Sequence, residues 1–210
     1  TEYWEFRMQQ NTWKLYAIRQ ETESAEKLNP SIKKFATTHA FFYDPDFGRL
    51  LLPSGGVLFS QGDFADADIN NHVIGEYKKT IIEFYSYTPS SSLSDYVVAQ
   101  AILPKRYANI LVQRLDSKME PLDPGKKMRK ITLESNDFNK KFVLWSDRAD
   151  YTASLELLTP NFMERISRLT FEINIEIIGQ VLYVYTEERR NIGYEDLLEV
   201  LHWAFEEMKM

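Results

Sequence analysis

The chain has 210 residues, 25 Lys and Arg against 31 Asp and Glu, and no cysteine. A net charge of -6 argues against a nucleic-acid footprint, which calls for a basic surface. The missing thiols exclude disulfides, thiolate zinc sites, iron–sulfur ligation and a cysteine nucleophile.

With 44% hydrophobic and 27% charged residues, the composition is that of an ordinary globular chain, long enough for one large domain or two lobes sharing a core. Residues 1–28 are expected to form a connector helix. Trp4, Met8, Leu15, Ile18 and Ala25 fall near a spacing of about 3.5 residues, while Lys14, Arg19 and Glu21 lie elsewhere. Such a helix either packs on a core or serves as a stalk or homodimer contact. Asn29-Pro30 ends it, because the residue before proline avoids the helical region, and Pro30 opens a second short helix through Phe35.

From His39 the period changes to two. Short strands are expected over His39 to Tyr43, Val57 to Ser60, Val73 to Lys79, Thr80 to Thr88, Tyr96 to Leu103 and Ile110 to Leu115, in the manner of an antiparallel meander. Ile82 and Phe84 share one face, and Ile81, Tyr85 and Tyr87 the other, where the tyrosines offer a recognition surface. Residues 116–130, with Pro121, Pro124 and Gly125, read as a linker, and the run Lys126 to Lys130 as a solvated loop, with a phosphate or lipid-headgroup patch as the alternative. Beyond it, Ser135 caps a helix over Asp137 to Lys141, and Phe142 to Trp145 is a strand. Thr159-Pro160 opens another helix. Phe171 to Ile177 and Gln180 to Tyr185 form a hairpin around Gly179, and Tyr194 to Met208 is a core-packing helix. The expected fold class is therefore α+β: an antiparallel sheet lobe (29–115), the linker, and a mixed α/β lobe (131–210), with helices at both ends.

The stretch Ile131-Thr-Leu-Glu-Ser-Asn-Asp-Phe-Asn-Lys-Lys-Phe142, the strand Val143-Leu-Trp-Ser-Asp147 and the helix start Leu158-Thr-Pro-Asn-Phe-Met-Glu-Arg165 resemble a bacterial family, the domain of unknown function numbered thirty-one thirty-seven. Asn71 to Tyr77, Ile82 to Thr88 and Ala101 to Pro104 fit the same order of elements, so the likeness runs over residues 35–210. The resemblance implies no assigned chemistry. It does imply a membrane-associated setting, since members often carry transmembrane helices ahead of this domain. The chain opens at Thr1, and an upstream anchor is expected on that ground. Its own apolar runs, such as Val181 to Val184, are far shorter than the ~20 residues of a spanning helix.

Candidate chemistry is sparse. His39 and His72 both open expected strands in one lobe and are the candidate acid–base pair. His202 lies beside Glu199 and Glu206 on the last helix, where a surface pair accounts for it. Asp63, Asp66 and Asp68 are the candidate metal ligands. The run from Asp66 has early calcium-loop spacings but Asn71 in place of the turn glycine and Tyr77 in place of the bidentate glutamate. Gly-x-Ser-x-Gly, Gly-x-Gly-x-x-Gly and Gly-Lys-Ser/Thr do not occur, and no cofactor is expected. The expected function is that of a non-catalytic interaction or ligand-sensing soluble domain of a membrane-associated, cytoplasm-facing protein, its partner a protein or small molecule. The alternative is a hydrolase or metal-dependent enzyme using His39, His72 and acids of the 60s loop.

Overall fold

The computed structural model describes residues 2–9, 12–20, 29–45, 55–61, 68–90, 94–147, 156–188 and 193–208, and at 2–20 and Asp68 the backbone alone. The first element corrects the expectation. Residues Glu2–Gln9 (β1) and Thr12–Gln20 (β2) are antiparallel strands, with Trp4 opposite Ile18 and Phe6 opposite Leu15. The sequence there is rich in Tyr, Trp and Phe, which favour extended backbone, and Trp4, Phe6 and Met8 alternate at period two as well as they fit a helical stripe. A connector or a homodimer contact at this end would therefore run through strands.

Helix α1, Pro30–Thr38, begins as expected. The Asn29 side chain accepts from the N–H groups of Ser31 and Ile32, and Pro30 occupies the first turn. Its end falls later than expected. Ala40 takes a left-handed φ of 56°, Phe41 N–H returns to Ala36 O at 2.8 Å and Ala40 N–H to Thr37 O at 3.2 Å. This double closure is a Schellman motif. His39 is thus the helix cap, and the strand that follows is only Phe42–Asp44 (β3).

Strands β4 (Asp68–Tyr77), β5 (Thr80–Thr88), β6 (Tyr96–Ile102), β7 (Ile110–Arg114), β8 (Arg129–Ile131), β9 (Phe142–Ser146), β10 (Asn174–Ile178) and β11 (Val181–Glu187) complete one antiparallel sheet. Its order is β3-β4-β5-β6-β11-β10-β7-β9-β8. The β4–β5 turn is Lys78-Lys79 with both φ values positive, the geometry that matches the twist of a two-residue hairpin. At Gly75 of β4 an added Cβ would lie 2.0 Å from the Phe41 ring, so the close approach of α1's exit to the sheet requires glycine.

The sheet does not divide at the expected linker, since β7 lies between β10 and β9. The linker itself is fastened down. Met119 and Leu122 are buried, and the N–H groups of Lys118 and Glu120 donate to Glu172 and Glu187. Its basic run ends as part of edge strand β8, at Arg129 and Lys130.

Helices α2 (Asn136–Lys141), α3 (Pro160–Ser167) and α4 (Tyr194–Met208) start where expected, with Ser135 and Thr159 as caps of the first two. Ile32 and Phe35 of α1, Phe138 of α2, Phe162 and Ile166 of α3 and Leu197 and Leu201 of α4 share one core with Phe84, Val112, Ile175 and Val184 of the sheet. Alternate sheet residues belong to a second core on the opposite face, with Tyr85, Tyr87, Tyr96, Tyr183 and Tyr185. Covering it are Val57, Leu58, Phe59 and Leu122. Tyr85 and Tyr87 are therefore buried, at 1% and 0% exposure, and are not a recognition surface. Residues Leu58–Ser60 form a 3-10 turn where a strand was expected.

Candidate functional site

The strand β10 reads Asn-Ile-Glu-Ile-Ile. Ile175 and Ile177 face the helical core, so pleating turns Glu176 to the tyrosine-rich face. The carboxylate is completely buried there. It accepts hydrogen bonds from the N–H of Val57 and, at 3.5 Å, from the N–H of Leu58. Gly56 has a φ of +145°, and a Cβ on it would meet Glu176 Oε2 at 3.1 Å. The glycine thus serves both the turn and the close approach of backbone to carboxylate.

Burial pushes the Glu176 carboxyl from 4.5 up to about 7, held back by the Val57 and Leu58 N–H groups and the Tyr185 hydroxyl. Burial likewise raises Tyr85 and Tyr185 well above the usual phenol value, and Tyr87 to about 12. This network ties the 55–61 segment to the middle of the sheet. It is closed, with Leu58 and Tyr183 both at 0% exposure.

The open feature lies on the helical side. Between α2 and α3 runs a groove of about 1070 Å³. Leu133, Phe138, Leu158 and Met163 supply its apolar surface. Its walls stand on the two capped helix starts, and Lys141 Nζ donates to Ser167 O at 2.6 Å, fixing one helix to the other. The charged residues around it balance, Glu134, Asp137 and Glu164 against Lys140, Lys141 and Arg168. Lys140 pairs with Asp137 at 3.1 Å on one side and Arg168 with Glu164 on the other. Such a lining selects by shape and apolar contact, with polar groups at the rim to orient an occupant.

The histidines are placed apart from both features. His39, at the α1 cap, reaches Glu195 of α4 at 2.7 Å and stacks on Phe41, the ring centroids 5.0 Å apart. His72 is fully buried on β4 and meets Glu83 of β5 at 3.0 Å. Each therefore has its own carboxylate on a different element. His202 packs edge-on against Tyr77 at 5.7 Å and is half-buried, not at the solvent edge. Asp63 and Asp66 lie outside the described residues, and Asp68 is the first residue of β4. Among the described residues no group of three or more His, Asp or Glu is arranged to hold a metal ion.

Two features went unread in the sequence. Glu176 carried a signal, a lone acid inside an apolar strand next to a second such strand. The groove carried none beyond the caps of its two helices, because α2 and α3 meet only through tertiary packing, with Lys141 and Ser167 26 positions apart in the chain.

Comparison with known proteins bears on the same region. Residues 94–202 match a family described as "Protein of unknown function (DUF3137)", a span that contains the whole groove. No curated protein matches the chain. Among solved structures, the crystal structure of the mycobacterial trehalose monomycolate transport factor A, TtfA, is similar in fold, with a TM-score of 0.59 at 12% identity over 85% of this chain and 93% of that one.

Proposed function

We propose that this chain, which belongs to the DUF3137 family of unknown function, is a non-catalytic binding domain that works at a membrane and takes an apolar or amphipathic small molecule in the α2–α3 groove. The groove is the observation that carries this reading. It is formed by capped helices, has apolar lining with charges of both signs in equal number around it, and lies inside the family segment. Its size suits a ligand of small-molecule dimensions. The shared fold with a protein titled a transport factor supports a binding role over a catalytic one. No helix among the described residues is long and apolar enough to cross a membrane.

The test is a titration of the 210-residue chain with the apolar fluorophore N-phenyl-1-naphthylamine. Saturable binding is expected. Met163→Glu places a charge on the half-buried groove floor and should weaken binding by roughly tenfold, the worth of one buried apolar side chain. Binding that does not saturate, or that Met163→Glu leaves unchanged with the variant still folded, overturns the assignment.

A further inference from the structure

Strand β8 is the last strand of the sheet and pairs with β9 alone. In a strand flanked on one side only, alternate backbone N–H and C=O groups point away from the partner and are left for another chain. Among the described residues, 126–132 make no backbone hydrogen bond outside the β8–β9 ladder. The register also fixes what stands on each face. Ile131 lies opposite Leu144 and packs on the helical core, and Arg129, two residues away, shares that face. Lys130 lies opposite Trp145, which packs with Met128 on the tyrosine-rich core. The edge, with Met128 just before the strand, therefore offers one cation and one half-buried apolar side chain to each face, in the order Met128-Arg129-Lys130-Ile131.

The cations here are not neutralised locally. Lys126, Lys127, Arg129 and Lys130 are all exposed, and none of their side chains makes an ion pair among the described residues. Of the acids nearby, Asp137 pairs with Lys140 at 3.1 Å. Asp123 accepts from Gly125 N–H at 2.8 Å and Asp147 from Asn109 N–H at 3.1 Å, which leaves exposed Glu134. In a chain of net charge -6 this run of positive charge goes against the whole. A second copy pairing on this edge would set Arg129 and Lys130 against the same two residues, which like-charge repulsion disfavours. A phosphate surface would meet the cations but offers no donors to the outward C=O groups. An extended acidic polypeptide satisfies both, because its N–H and C=O groups continue the ladder while its carboxylates meet the cations.

We infer that β8 accepts an added strand from a partner protein whose extended segment reads apolar-acidic-acidic-apolar. Residues opposite one another across a strand pair share a face. The two acids therefore stand opposite Arg129 and Lys130, and the apolar residues opposite Met128 and Ile131. The pattern reads the same in both directions, so it holds for parallel and antiparallel addition. The inference goes beyond the small-molecule reading of the groove and does not depend on it.

The test is fluorescence anisotropy of the labelled, end-blocked peptide Thr-Val-Glu-Glu-Val-Thr titrated with the 210-residue chain. Saturable binding is expected, and replacing Glu-Glu by Lys-Lys in the peptide should abolish it. N-methylation of both glutamates keeps the charges but removes an N–H from each edge of the peptide, and should weaken binding at least about tenfold. Arg129→Glu with Lys130→Glu should weaken binding of the acidic peptide at least about tenfold and create binding of the Lys-Lys peptide, a gain that a misfolded variant would not show. Lys33→Glu with Lys34→Glu, at exposed positions of α1 beside the opposite end of the sheet, should leave binding unchanged. No saturable binding, equal binding of the N-methylated peptide, or an equal loss in the Lys33/Lys34 variant overturns the inference. Tighter binding of inorganic polyphosphate, lost in the Arg129/Lys130 variant, assigns the cations to a phosphate surface and overturns it as well. Fluorophore binding in the groove is measured without peptide, so failure of either assignment leaves the other readable.

Discussion

Replacing Glu176 by glutamine should flatten the pH dependence of stability. The Glu176 carboxyl is fully buried, and its folded-state value of about 7 stands above the ordinary 4.5. A carboxyl raised in this way binds its proton more tightly folded than unfolded. Its stabilising contribution is complete below pH 4.5 and is lost as pH climbs to about 7. At 1.36 kcal/mol per unit this amounts to about 3 kcal/mol across the window. Glutamine resembles the protonated acid, and its amide oxygen can still accept from Val57 N–H. The variant should match the parent near pH 4.5 and exceed it near pH 8 by up to about 3 kcal/mol, or roughly 6–12 °C in a domain this size. Thermal unfolding of both proteins at intervals between these limits is the assay. The difference between the two curves removes other titrations, including Glu188, which burial also raises. Parallel curves at all pH values would refute the argument, because they would mean that the Val57 and Leu58 N–H groups stabilise the charge as fully as water does.

Two further substitutions test local packing. Asn29→Ala removes the α1 cap and the 2.6 Å contact from Asn29 Nδ2 to Glu188, and should cost about 1–2 kcal/mol in a urea titration. Gly75→Ala forces the Phe41 ring away from an added methyl at 2.0 Å and should lower stability by about 1–3 kcal/mol. An unchanged midpoint would show that the ring moves freely.

The helix starts were legible because capping is a local matter. Asn29-Pro30, Ser135 and Thr159-Pro160 each satisfy backbone N–H groups within three residues. The β10–β11 hairpin was legible for the same reason, since alternation on either side of Gly179 marks a short turn, whereas the Lys78-Lys79 turn between β4 and β5 fell inside an expected strand. The N-terminal segment was misread because fifteen or so residues rich in aromatics fit two periods at once, and pairing of β1 with β2 decided between them. The cap at His39 was missed because Ala40 adopts a left-handed conformation that glycine usually signals.

By itself, then, the sequence determined the α+β class, the caps at the helix starts, the β10–β11 hairpin and the chemistry that the lack of cysteine excludes. These follow from short-range sterics, hydrogen bonding and composition. Only the tertiary structure decided that β7 sits between β10 and β9, that Tyr85 and Tyr87 are covered, and that His39 and His72 take separate carboxylates. It also brought α2 beside α3 and the Gly56 turn onto Glu176. Each of these depends on contacts between residues tens of positions apart. Burial, unlike periodicity, is a property of what lies on top of a side chain, and that is set by the order of strands in the sheet.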